Sequence, residues 1–325
     1  MLAVNKKVRA LVSVAILAFL AWRLDWTRVA NAFAGLRLEL WLSAVGIYAV
    51  TQVVSAVRWR QLAVPLGFCR PLRQFVSFYF IGMFFNLLLP TSIGGDVVRA
   101  EYLVTGKGQR MPAFLSVFVD RFSGLLVLLL LACLAVALCP IDLPMWIPAS
   151  VWGTGAAAVA GLATLPILTR WTHRFDRMRR LVGGVQLYLT MPRLIATSTA
   201  LSIVVQAANV VVLWLAGLAI GADIPASYYW ILVPMVTLLT LVPISLNGMG
   251  VREGGMVLFL APLGVESATA VTLAFLWFMV FTATSLVGVV IYLAGNLKRP
   301  EEYANDGSFG SHSDQGRTRQ SRSAA

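Results

Sequence analysis

The chain has 325 residues, of which 59% are apolar and only 12% charged, and its mean hydropathy of +0.80 lies far outside the range of soluble globular proteins. The formal charge of +12 sits at the ends of apolar runs rather than on a separate polar block. That placement fits the positive-inside bias and anionic lipid headgroups, and argues against a nucleic-acid partner. Two histidines, His173 and His312, and three cysteines, Cys69, Cys133 and Cys139, lack ligand spacing. They argue against a metal centre, a disulfide framework or histidine-based catalysis, and no cofactor is expected.

Crossing about 30 Å of hydrocarbon takes about 20 helical residues. The run 8–22 carries Lys6, Lys7 and Arg9 at its start and lacks a convincing small-residue cleavage site, so it reads as a retained first helix with the N-terminus inside. Trp26, Val29, Phe33, Leu36 and Leu40 recur at helical spacing and suggest a weak interfacial face on the outside, where Arg23, Arg28 and Arg37 run against the charge bias. The run 39–57 is the second crossing. Arg58, Trp59 and Arg60 close it, first as an inner-face anchor, with headgroup binding the lesser alternative.

With Arg70 and Arg73 marking the inside loop, the stretch 75–110 must leave the inside and return there; its run 75–90 would reach only about 24 Å as a helix. The runs 112–139, 146–169 and 194–220 are crossings, and the connections 140–145 and 221–229, without Lys or Arg, belong outside. From 171 to 185, Trp171, Phe175, Met178, Val182 and Val185 oppose Arg170, Arg174, Arg177 and Arg180, as in a basic amphipathic helix on the inner leaflet or an ordinary linker helix. The stretch 230–262 leaves from the outside and returns there, and 267–295 is the last crossing, ending at Lys298 and Arg299. The chain is thus expected to be an all-α polytopic membrane protein. It would have about six full spans plus two opposed re-entrant or broken-helix hairpins forming an inverted repeat, about eight membrane segments in all. The membrane domain would cover 1–297, and 298–325 would be a disordered basic cytoplasmic tail.

The two hairpins share a pattern. LPTSIGGDVVR at 89–99 and VPISLNGMGVR at 242–252 align Pro90, Ser92, Gly95 and Arg99 with Pro243, Ser245, Gly248 and Arg252, 153 residues apart. Backbone breakers and ionisable groups at bilayer depth are expected where protein or a water-filled cavity satisfies them, and a repeated pair of interrupted segments points to a site at the repeat interface. Pro90 and Pro243 read as hinge or broken-helix points. Gly94 and Gly95 would free backbone amides toward an anion, and Arg99 would grip phosphate; alternatively Arg99 pairs with Asp96 or Glu101, or snorkels. In the second segment Asn247, Gly248, Gly250, Arg252 and Glu253 are candidate headgroup ligands. Glu253, adjacent to Arg252, is expected to diverge from it and to pair elsewhere, as a structural ion pair or a proton-coupling carboxyl. Asp120 and Arg121 are expected to support the site by pairing with Arg99 or Glu101, with interface anchoring an alternative for Arg121.

Three ordered segments, FNLLLPTSIGGDVVRAEYL, SVFVDRFSGLL and LVPISLNGMGVREGGMVLFL, resemble the membrane domain of lysylphosphatidylglycerol synthases, the flippase-like integral membrane family, over about residues 8–296. The resemblance implies a multi-pass domain of the bacterial inner membrane, with both termini cytoplasmic, that moves modified phospholipid between leaflets. It places the motif positions at Pro90, Gly94, Gly95, Asp96, Arg99, Asp120, Arg121, Pro243, Asn247, Gly248, Gly250, Arg252 and Glu253. Those synthases carry a soluble aminoacyl-transfer domain after the membrane part, which this chain lacks, so it is not expected to make lysyl-lipid itself. Standalone members also resemble proteins of hopanoid or glycolipid pathways.

The leading expectation is a non-enzymatic lipid flippase for an anionic or modified (glyco)lipid headgroup. Without a Walker-type motif its movement would be passive or ion-coupled. The alternative is a noncatalytic membrane scaffold or accessory subunit whose partner is a separate lipid-modifying enzyme. An intramembrane enzyme ranks last, because no nucleophile, metal cluster or histidine base is recognisable.

Overall fold

The computed structural model describes residues 27, 34–89, 94–104, 106, 108–138, 143–171, 188, 190–242, 245 and 247–294, with the backbone alone at 162 and 165–171. The expected first helix at 8–22, most of the interfacial stretch after it, the basic helix at 171–185, the tail, and both Pro90 and Pro243 lie outside the described residues. Among the described residues nine α-helices follow one another: α1 Leu38–Ala63, α2 Leu72–Leu88, α3 Gly94–Leu103, α4 Arg110–Leu138, α5 Trp146–Trp171, α6 Pro192–Ala219, α7 Tyr229–Leu241, α8 Val251–Leu260 and α9 Ser267–Ala294. The described residues contain no strand.

Among the described residues four segments are long and apolar enough to cross a membrane: α1 with its terminal turn (Leu38–Leu66), α4, α6 and α9. The segments Leu72–Leu88 and Ala226–Leu241 are apolar but shorter. At 17 residues, α2 spans about 26 Å, less than the hydrocarbon thickness. Large apolar side chains face outward along the long helices, among them Leu130, Leu134 and Leu138 on α4 and Leu286, Val290 and Leu293 on α9. Such a surface is stable against lipid rather than water.

Local chemistry explains the helix ends. Leu89 and Val242 both leave helical geometry (ψ 141° and 122°), as residues before proline do, which ends α2 and α7 where the apolar runs stop. The same Pro-Leu-Gly signal closes α1 and α8: a 3₁₀ turn at Val64–Leu66 or Ala261–Leu263 precedes a left-handed glycine, Gly67 (φ 94°) or Gly264 (φ 73°). In each case the glycine amide bonds back three residues and satisfies a helix-end carbonyl. α1 itself continues to Ala63, past the expected end at 57, so Arg58 and Trp59 are buried within the helix rather than exposed at its mouth.

α1 and α6 run antiparallel. The Arg37 amide, at the start of α1, donates to the Ala219 carbonyl at the end of α6 (2.8 Å), and Arg58 near the other end reaches Ser202 (2.8 Å). α2 is wedged between α3 and α9, and α7 lies against α4 and α8, with its residues from Ile231 to Val236 all buried. The packing repeats within the molecule. Exchanging α1 with α6, α2 with α7, α3 with α8 and α4 with α9 turns the α2–α9 contact into α7–α4 and the α4–α6 contact into α9–α1, all of which are present.

Candidate functional site

Gly95 begins the site by letting two helices touch. A Cβ there would stand 1.8 Å from the Gly82 carbonyl oxygen of α2, so only glycine fits, and the Asn86 carboxamide oxygen accepts the Gly95 amide at 2.7 Å. The Gly95 amide expected to face an anion is therefore already bonded. Gly94 packs on Leu89. Both glycines set the pitch of α3 against α2, and this turns Asp96 and Arg99 inward.

The charges so placed form one network. Asp120 on α4, 1% exposed, accepts from Arg58 Nε of α1 (2.9 Å) and from Arg99 Nη2 of α3 (3.2 Å). Asp96 meets Arg121 at 2.9 Å and 3.0 Å through two guanidinium nitrogens, and its Oδ1 lies 3.1 Å from Arg99 Nε. The Arg99 guanidinium stands 4.9 Å from the ring centres of both Trp59 and Tyr79, an arrangement that favours the cation. Of the partners expected for Asp120 and Arg121, Arg99 is found on Asp120, while Arg121 takes Asp96, and Glu101 pairs with the exposed Arg110 instead (3.4 Å).

The second hairpin repeats the sequence pattern but not the backbone. In motif register Gly94, the first residue of α3, corresponds to Asn247, yet α8 starts only at Val251. The intervening residues form a turn in which Asn247 (φ 49°), Gly248 (φ 76°) and Gly250 (φ 81°) are left-handed. Two glycines and an asparagine are the residues that tolerate this region. Glu253 then folds back to accept the Gly250 amide (2.6 Å) and pairs with Arg252 (2.5 Å). The expectation that adjacent residues diverge is thus corrected. In the first turn of a helix the carboxylate curls toward the free amides, and the long arginine side chain reaches it there. Arg252 also lies over the Phe278 ring of α9, 4.6 Å from its centre.

Both hairpins contribute to one cavity of about 340 Å³. Asp96, Arg99, Asp120, Arg121, Asn247 and Arg252 line it. Gly94, Gly95, Gly248, Gly250 and Glu253 stand behind the wall as shaping or pairing residues. The long helices present to it the residues near their mid-length: Gln52 of α1, Gly124 of α4, Gln206 and Asn209 of α6, and Trp277 of α9. Sequence reasoning missed Tyr48, Gln52, Tyr79, Asn86, Gln206 and Asn209, and it gave headgroup binding by Arg58 only as the lesser alternative to an inner-face anchor. The carboxamides at least were detectable, since Gln and Asn in the middle of a spanning run require a polar partner. Ser245, the repeated motif serine, is buried in the second hairpin. No group of three His, Cys, Asp or Glu stands together among the described residues in a way that could hold a metal.

Comparison with curated proteins finds no match. Residues 8–288, which include every charged residue of the cavity, match the family described as lysylphosphatidylglycerol synthase TM region, and the chain belongs to this family of membrane proteins.

Proposed function

We propose that the protein moves lipids with an anionic headgroup between the leaflets of a bacterial inner membrane, by a passive or ion-coupled route and without enzymatic chemistry. The observation that carries this reading is the polar, arginine-lined cavity at mid-length of the spanning helices, a position that corresponds to the bilayer midplane in the proposed topology. A headgroup cannot enter hydrocarbon unsolvated, and a polar cavity at that depth removes much of the penalty. The internal exchange of helix contacts and the antiparallel α1–α6 pair support an inverted repeat, with the α2–α3 and α7–α8 hairpins entering from opposite faces and about eight membrane segments in all. Residues 1–297 would form this unit, with both termini cytoplasmic and 298–325 a polar tail.

Reconstitution in vesicles with a head-labelled anionic lipid and an impermeant quencher tests the proposal. The unaltered protein is expected to expose the inner-leaflet pool to the quencher, and Arg252→Ala to lose that activity by at least about tenfold while remaining folded. Arg99→Ala is expected to lose transport and stability together, because it strips a partner from buried Asp120. Equal quenching with and without protein overturns the proposal.

One observation favours a second reading, a noncatalytic scaffold for a separate lipid-modifying enzyme. Arg58, Arg99 and Arg121 are all paired with Asp96 or Asp120, as a purely structural network would be. Co-purification with such an enzyme, together with the absence of transport, would decide for it.

A further inference from the structure

We infer that the cavity selects headgroups carrying one net negative charge together with free hydroxyls, over zwitterionic headgroups and over aminoacylated, net-cationic ones; its ligand class builds on the lipid-transport reading above. Arg58, Arg99, Arg121 and Arg252 line the cavity. The carboxylates that meet them are Asp96, Asp120 and Glu253, each already engaged. Four guanidiniums share three carboxylates, so among the described residues one positive charge is left over. Surplus positive charge lining a cleft with low-dielectric walls draws in a compensating anion. A single phosphodiester is such an anion. A zwitterion leaves the surplus in place, a cationic headgroup adds to it, and a headgroup with two phosphodiesters overshoots.

Two details extend the charge count to hydrogen bonding. Arg99 is 3% exposed, and its Nε, although near Asp96, has no aligned hydrogen-bond acceptor. That leaves a buried donor suited to a phosphate oxygen. Gln52 and Asn209 give their amide nitrogens to the Tyr48 carbonyl (3.2 Å) and to Gln206 Oε1 (3.3 Å), which leaves their own carboxamide oxygens as acceptors for hydroxyl donors. Size agrees: about 340 Å³ is at the low end of ligand cavities, room for a headgroup with the acyl chains remaining in lipid.

Native mass spectrometry of the purified protein, offered equal amounts of phosphatidylglycerol, phosphatidylcholine, lysylated phosphatidylglycerol and cardiolipin with matched chains, tests the inference. Phosphatidylglycerol is expected to be retained at least about tenfold over phosphatidylcholine and over the lysylated lipid. Glu253→Gln keeps an acceptor for the Gly250 amide but raises the surplus to two charges, and should move the preference toward cardiolipin, with its two phosphodiesters. Arg252→Gln removes the surplus and should flatten the preference. Equal retention of phosphatidylglycerol, phosphatidylcholine and the lysylated form, or an unmoved preference in folded Glu253→Gln protein, overturns the inference. Vesicle transport of the same lipids is read separately. Selective binding without transport overturns the flippase reading while upholding the charge selection.

Discussion

Asp120 is the residue on which the buried charges converge. Its carboxylate is 1% exposed and is shared by Arg58 from α1 and Arg99 from α3. Removing one member of a buried ion pair strands the others, at a cost of about 3–5 kcal/mol. Asp120→Ala is therefore expected to lower the thermal midpoint in detergent strongly. Arg121→Ala should shift it little, because the Arg121 side chain is 45% exposed and such pairs contribute about 1 kcal/mol or less. Equal shifts in the two variants would contradict this ranking. At this scale the sequence was partly legible. Asp120, Asp96 and Arg99 announce themselves as charges in an apolar chain, whereas Arg58 looked like a positive-inside anchor because nothing in the residue string shows that α1 continues through it. Glu253 was misjudged for a local reason: helix-interior geometry was applied to a residue in the first turn, where free amides draw the carboxylate back.

At the scale of elements, the α2–α3 hairpin is held by close backbone contact. A Cβ at Gly95 would collide with the Gly82 carbonyl, and one at Gly288 would come within 2.1 Å of the Phe80 carbonyl, so α2 is clasped from both sides. Gly95→Ala and Gly288→Ala are each expected to reduce the yield of folded, monodisperse protein, while Gly254→Ala on α8, with nothing within 4 Å, should be tolerated. Size-exclusion profiles of the three variants check this. Helix lengths and stops were the most legible elements, because apolar run length, X-Pro geometry and the Pro-Leu-Gly signal are local properties. The start of α8 was not: a repeated string suggests a repeated backbone, yet Gly248 and Gly250 permit a left-handed turn that delays the second helix by four residues relative to α3.

The whole molecule sets the sidedness. In the proposed topology the α1–α2 connection lies on the cytoplasmic face, and Cys69 on that connection is exposed. With Cys133 and Cys139 changed to serine, Cys69 should resist a membrane-impermeant maleimide in intact cells and react in inverted vesicles; the reverse pattern would invert the proposed topology. That two distant segments belong to one site was suggested by their 153-residue echo. That the site also draws its neutral polar lining from α1, α2 and α6 depends on helix rotation, which composition and spacing leave undetermined.

The two arginines of the echo are moored differently, and this divides the molecule mechanically. Sliding α3 along α4 must pull apart Arg99–Asp120 and Arg121–Asp96, whereas sliding α8 along α9 leaves Arg252 with its own neighbour Glu253 and only changes the ring it rests on. The first hairpin is riveted to its neighbour by charge and the second rests on a bearing, so a shift of α8 along α9 breaks no ion pair of Arg252.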